Sequence, residues 1–276
     1  MNKSTKRLMT ILVFCIVLLM AAVYVLKTSA KIEVSDDKEA AADVIIEEEA
    51  LYSDDYYRSF YKSQKDINDD YVGQIFFKSG LIVQPFVQGE TNDTYLRTDW
   101  TNGKYDVEGS NFMDYDNTLD DQNIVIYGHY VFEYLDPTLS HKFTPLEQLL
   151  EKENYKDNNI IYLLLEDEIR EYEIASVFYA QLVKEGEYYY TQENQQYYLT
   201  SFSDEYFNIY HDSVKEVEQY NTGVDFNSAD KLLTLQTCTR DREDLREIVI
   251  AVENHVYKLD GKCSLEKYDL NSSERD

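Results

Sequence analysis

Hydrophobic and polar positions along the chain change character three times. Leu8 to Leu26 is apolar without a charged residue, long enough for a membrane-spanning helix of about 20 residues. A polar, acidic stretch follows. From Tyr71 onward the pattern becomes short apolar runs rich in β-branched and aromatic residues: Gln74 to Phe77, Leu81 to Val87, Ile124 to Tyr127, Asn159 to Leu165 and Glu171 to Tyr179, then Leu232 to Leu235 and Ile248 to Val252. Short strands repeated with turn residues between them predict a mainly β domain, a barrel or a sandwich.

Helical spacing interrupts this pattern at three places. Tyr52, Tyr56 and Phe60 recur every four residues and put their rings on one helix face. Thr144 to Lys152 places Leu146, Leu149 and Leu150 at helical intervals behind Pro145, a residue suited to a first helical position. Residues 203–219 predict a longer helix: Ser203 is placed to cap it, Asp204 and Glu205 fill the first turn, and Tyr206, Tyr210, Val214 and Val217 form a packing stripe. The tyrosine clusters 188–190 and 197–198 just before it read as amphipathic surface, with a peptide groove as the alternative.

Charge narrows the function classes. The formal net charge is −27, which argues against nucleic-acid binding, because neutralising phosphates requires a basic face. Three cysteines, one of them inside the apolar N-terminal run, leave no disulfide framework. Lys3, Lys6 and Arg7 precede that run, so the positive-inside rule keeps the N-terminus cytoplasmic and sends the rest outward. A cleaved signal peptide would have a shorter apolar core, about 7–15 residues, and a better cleavage site than Thr28-Ser29-Ala30; a retained anchor is the preferred reading. The chain thus divides into a basic terminus (1–7), an anchor (8–26), an acidic stalk and N-terminal helix (27–70), a catalytic domain (71–260) and a polar tail (261–276).

Two of the predicted strands end in chemistry. The run through Leu235 ends at Thr237-Cys238, beside Arg240, Arg242 and Arg246; the run through Tyr127 ends at Gly128-His129. A thiol near guanidinium groups favours its thiolate over a thiol of ordinary pKa, about 8.5. A lone cysteine is also what core packing produces; the matching His129 strand end tips the reading toward an acyl-transfer site. Among the arginines, Arg246 opens a strand and is held by it, whereas Arg240 and Arg242 sit in a loop, read as solvated charges paired with Asp241, Glu243 or Asp244. Asp114, Asp116, Asp120 and Asp121 form an acidic loop, but Thr118 and Leu119 break the register of a calcium loop, and no His or Cys spacing suggests zinc. No metal and no cofactor is expected. His141, His211 and His255 read as surface or capping residues, and Cys263 as an idle thiol or a redox partner for Cys238.

These residues resemble the sortases, membrane-anchored cysteine transpeptidases of Gram-positive surfaces. The pattern Thr-Leu-x-Thr-Cys stands at Thr234 to Cys238, the family's arginine matches Arg246 in Arg246-Glu247-Ile248-Val249, and its histidine matches His129. Tyr220 to Asp225, Ser110 to Tyr115 and Phe86-Val87-Gln88 are similar to class B segments. The resemblance covers most of residues 71–258. It implies a closed β-barrel with N-terminal helices and a helical insertion before the cysteine strand, behind one transmembrane helix. It implies Cys238 as nucleophile, His129 as proton carrier and Arg246 as a partner of the oxyanion or a holder of the substrate backbone, with a sorting-motif peptide and an amine of the peptidoglycan precursor as substrates. It also points to Asn92, Leu96, Gln236 and Thr237 as substrate-binding residues. The chain departs from class B at Gln236, where serine is common, so no particular sorting motif carries over. Two other readings remain: a cell-wall cysteine hydrolase, disfavoured because papain-like enzymes place Cys before His in the chain, and a non-catalytic anchored peptide-binding protein.

Overall fold

Eight strands hydrogen-bond in a closed ring. The structure, a computed structural model, describes residues 54–131, 141–185, 188–191, 197–240 and 242–271. The strands are β1 (Tyr71–Phe77), β2 (Val83–Val87), β3 (Phe112–Met113), β4 (Asn123–Tyr127), β5 (Ile160–Leu164), β6 (Glu168–Glu185), β7 (Tyr188–Thr191), β8 (Leu232–Cys238) and β9 (Leu245–Lys258). Their order is β5-β1-β2-β3-β4-β8-β9-β6-β7, and a further pairing of β5 with β6 closes eight of them into a barrel, leaving β7 as an outer hairpin arm. Closure removes the edges that an open sheet would expose.

Period-two alternation divides the apolar residues of each strand between inside and outside. Ile75, Phe77, Ile124, Ile126, Leu233, Leu235, Val249 and Ala251 fill the barrel interior. The opposite parity meets two outer layers. Over one face lie Phe207, Tyr210 and Val214 of helix α3 (Asp204–Val217), packed on Leu232, Ile248 and Ile250. Helix α3 begins where the sequence predicts, its Ser203 hydroxyl accepting from the Tyr206 amide at 3.2 Å.

Over another face lies helix α1, helical from residue 54 through 65. Its buried rings are Tyr57 and Tyr61, with Tyr56 and Phe60 only partly buried, one position off the predicted stripe. The reason is the C-terminal segment. Residues 261–271, expected as a polar tail, pack back between α1 and the barrel: Cys263 and Leu270 are buried, and Tyr57 donates to the Glu266 carbonyl at 2.8 Å while accepting from the Tyr268 amide at 2.9 Å. The predicted helix after Thr144 is a 3₁₀ helix, Thr144–Leu150, followed by α2, Lys152–Asn158, which the sequence pattern does not show.

The expected anchor, 8–26, and most of the stalk lie outside the described residues. Among the described residues no helix is long and apolar enough to cross a membrane.

Candidate active site

The parallel pairing of β4 with β8 brings the two chemical strand ends to one rim. Tyr127 pairs with Gln236, and the Gly128 amide continues the ladder to the Gln236 carbonyl at 3.0 Å, so His129 leaves its strand beside Cys238. On the other side of β8, the antiparallel β9 sets Arg246 directly opposite Cys238. A parallel and an antiparallel neighbour thus present two strand ends and one strand start at the same edge. His129, Cys238 and Arg246 share a groove of about 170 Å³ with Leu96, Phe112, Tyr127, Gly128, Gln236 and Thr237. A larger cavity, about 380 Å³ between the barrel and residues 264–268, has neither histidine nor cysteine among its described lining residues.

Two glycines make room for this arrangement. A side chain on Gly128 would strike the Phe143 ring at 2.4 Å, and one on Gly109, whose φ is +53°, would strike the Leu96 carbonyl at 2.4 Å. That carbonyl lies 2.7 Å from His129 Nε2. A carbonyl only accepts, so Nε2 carries the proton and Nδ1 holds the lone pair of the neutral ring. Burial lowers the His129 pKa below the usual imidazole value; the Leu96 bond opposes this, and the positive charges of Arg97 and Lys142 add to it. The ring is therefore neutral and able to take a proton near pH 7.

The three arginines part company. Arg246 donates through Nη1 to the carbonyls of Glu243 (2.9 Å) and Leu245 (2.8 Å), which folds its guanidinium against the loop. Arg242 pairs within its own loop with Asp244, as expected. Arg240 does not. It crosses to the segment after β4, donating to the Tyr130 hydroxyl at 3.0 Å and pairing with Glu147 of the 3₁₀ helix at 3.2 Å. Nothing in the local sequence signalled this partner, since Glu147 is remote in the chain.

The four residues expected to bind substrate occupy different places. Leu96 and Gln236 line the groove. Thr237 borders it, but its side chain is 1 % exposed and takes the inward parity of Leu233 and Leu235. Asn92 lies outside the lining residues; it fastens the neighbouring loop, donating to Asp114 Oδ2 at 3.0 Å and accepting from the Tyr115 amide at 2.9 Å. Asp114 also accepts from the Tyr127 hydroxyl at 2.7 Å, and Asp121 from Asn117 and the Thr118 amide. Those carboxylates tie the loop together, and among the described residues no group of three or more His, Cys, Asp or Glu is placed to hold a metal ion. His211 sits 2.7 Å from Asp225 and edge-on to Phe226, and His255 packs on Tyr257. Cys238 and Cys263 are both thiols rather than halves of a disulfide, and Cys263 is buried.

No family model matches the chain. It is 28 % identical over 201 residues to sortase B of Staphylococcus aureus, covering 72 % of this chain and 75 % of that protein. Its fold matches the crystal structure of sortase B of Clostridium perfringens with a TM-score of 0.58 and 30 % identity, over 70 % of this chain and 99 % of that one. It also matches a sortase B complexed with triglycine, with a TM-score of 0.61 and 25 % identity, over 81 % of this chain and 99 % of that one.

Proposed function

Because the chain belongs to the class B sortases, which are cysteine transpeptidases, we propose that it cleaves a C-terminal sorting motif of exported surface proteins and joins the new end to an amine of the cell-wall precursor. The observation that carries this reading is the meeting of a thiol, an imidazole and a strand-held guanidinium in one groove.

The chemistry follows from what each group can do. Neutral His129 takes the Cys238 proton, and the thiolate attacks the scissile carbonyl carbon to give a tetrahedral oxyanion. Arg246, opposite Cys238 in register, releases the loop carbonyls it binds and turns its donors to that oxygen, which sets a positive charge where negative charge develops. Collapse breaks the C–N bond, and the departing amine leaves with the proton from His129. The thioester is resolved by a second amine, which gives its proton to His129 as the S–C bond breaks. The complex of a similar sortase B with triglycine supports a glycine-type acceptor. Leu8 to Leu26 would hold the protein in the membrane with this groove outside, an orientation that protease treatment of intact cells tests directly.

The deciding experiment offers the full chain a panel of short threonine-containing sorting peptides with a glycine amine, read by mass spectrometry. An acyl adduct on Cys238 and a ligated product are expected. Cys238→Ala should abolish the adduct, and His129→Ala and Arg246→Ala should each lower turnover by about 10²- to 10³-fold. Free acid as the only product would mean a hydrolase, and a Cys238 inert to alkylation would mean a binding protein. Gln236→Ser should shift which peptide of the panel is preferred.

A further inference from the structure

Behind the groove, the same strand ends carry a second layer that faces the barrel interior. Thr237 on β8 stands opposite Glu247 on β9, with the inward parity of the pairs Leu235–Val249 and Leu233–Ala251. Both are 1 % exposed. Among the described residues, the Thr237 hydroxyl and Glu247 Oε1 are buried without a hydrogen-bond partner. One strand along, Gly128 lies beside Thr237, and Asn111, just before β3, points its amide at that glycine: Oδ1 is 2.7 Å from where a Cβ would stand. Asn111 is 2 % exposed, and both of its amide atoms are also without a hydrogen-bond partner among the described residues.

Asn111, Gly128, Thr237 and Glu247 therefore form one row across β3, β4, β8 and β9. The last three each adjoin a residue of the groove: Gly128 precedes His129, Thr237 precedes Cys238, and Glu247 follows Arg246. In a strand, inward and outward side chains share one backbone, so how the inner row packs sets where the outer row points. The groups around Glu247 limit its charge. Glu147 adds to the effect of burial, which holds the Glu247 carboxyl protonated well above the ordinary range. Glu147 is itself bound by Tyr130 and Arg240, and Tyr220, near enough to interact with Glu247, binds the Leu149 carbonyl.

We propose that Glu247 is a positioning residue of the transpeptidase site, acting from inside the barrel with Thr237 to fix Cys238 and Arg246 against His129. Two buried polar side chains facing each other across β8 and β9 tolerate few arrangements in a hydrocarbon interior, because any shift changes what their unpaired atoms meet; a hydrocarbon there would pack in many. This rests on Cys238 and Arg246 having the roles given above.

The test uses the full chain with Glu247→Gln, Glu247→Leu and Thr237→Val. It measures kcat and KM on whichever peptide the wild type turns over, together with Tm and the pH profile of Cys238 alkylation mapped by mass spectrometry. Glu247→Gln keeps the shape and the neutral polar group and should stay within about twofold of wild type. Glu247→Leu should keep Tm or raise it, yet lower kcat about tenfold with KM unchanged, since small misplacements of reacting groups cost rate. Thr237→Val should move kcat in the same direction. A Glu247→Leu enzyme with wild-type kcat would overturn the proposal, and so would a Gln variant as impaired as the Leu variant. If Glu247→Leu fails to fold, Thr237→Val decides by its kcat alone. If the wild type turns over no peptide, the transpeptidase reading has failed separately, and an unchanged Cys238 alkylation profile in Glu247→Leu would still sink the positioning role.

Discussion

Burial acts on His129 and Glu247 in the same sense, against the charged form, and their opposite acid–base character gives opposite pH signatures. His129 in the fold binds its proton less tightly than a free imidazole, so its contribution to stability shrinks as pH falls below the ordinary value of about 6.5. Glu247 binds its proton more tightly than a free carboxyl. Between the ordinary glutamate value, about 4.3, and the raised one, only the folded state holds the proton, so stability falls as pH rises. Thermal melts of Glu247→Gln against wild type should therefore show a gain that is small near pH 4 and grows toward pH 8; a constant difference would mean an ordinary pKa. Gly109→Ala tests the other group. The added methyl would push the Leu96 carbonyl off His129 Nε2, and turnover should fall about tenfold or more while Cys238 remains alkylatable. The chemically rare side chains, Cys238, His129 and Arg246, are legible in the sequence because each ends or opens a β-run. Glu247 is not, because Ile248 to Val252 is apolar at every position and hides which parity faces inward.

Elements built on strong periodicity emerge from the sequence, and those built on tertiary partners do not. Strands β4, β8 and the core of β9 are apolar enough to be seen, as is α3 with its Ser203 cap. Strand β3 is two residues long and exists by pairing with β2 and β4. Strand β6 runs to eighteen residues, well past the visible run, because β9 pairs along it from Glu168 to Gln181 and β7 along its last four residues. Arg240 illustrates the same limit at the loop between β8 and β9. Its bonds to Tyr130 and Glu147 tie the loop that follows Cys238 to the 3₁₀ helix. The pair is half exposed, so it contributes about 1 kcal/mol or less to stability. Arg240→Ala should leave Tm nearly unchanged and speed amide exchange across residues 239–245, and unchanged exchange would rule out a restraining role.

At the level of the whole barrel, the C-terminal segment works as a clasp rather than a tail. Its backbone amides are taken up by α1, Cys263 by Asp54, Tyr268 by Tyr57 and Leu270 by Tyr56. Leu270 is buried in the same cluster as Tyr57, Phe76 and Leu259. Leu270→Ala should cost about 2–5 kcal/mol by denaturant melt, the range for truncating a buried leucine, with Cys238 still alkylatable. The parallel pairing of β4 with β8 has a different consequence, one of timing. His129 and Cys238 stand more than a hundred residues apart in the chain, and their strands meet only through that non-local pairing, the kind of contact that forms slowly because the loop between must first be closed. A chain synthesised N-terminus first delivers its imidazole long before its thiol. Until β4 and β8 pair, nothing holds the imidazole and the thiol at one rim. The site is thus assembled only by a pairing that has to wait for the later of its two strands to be made.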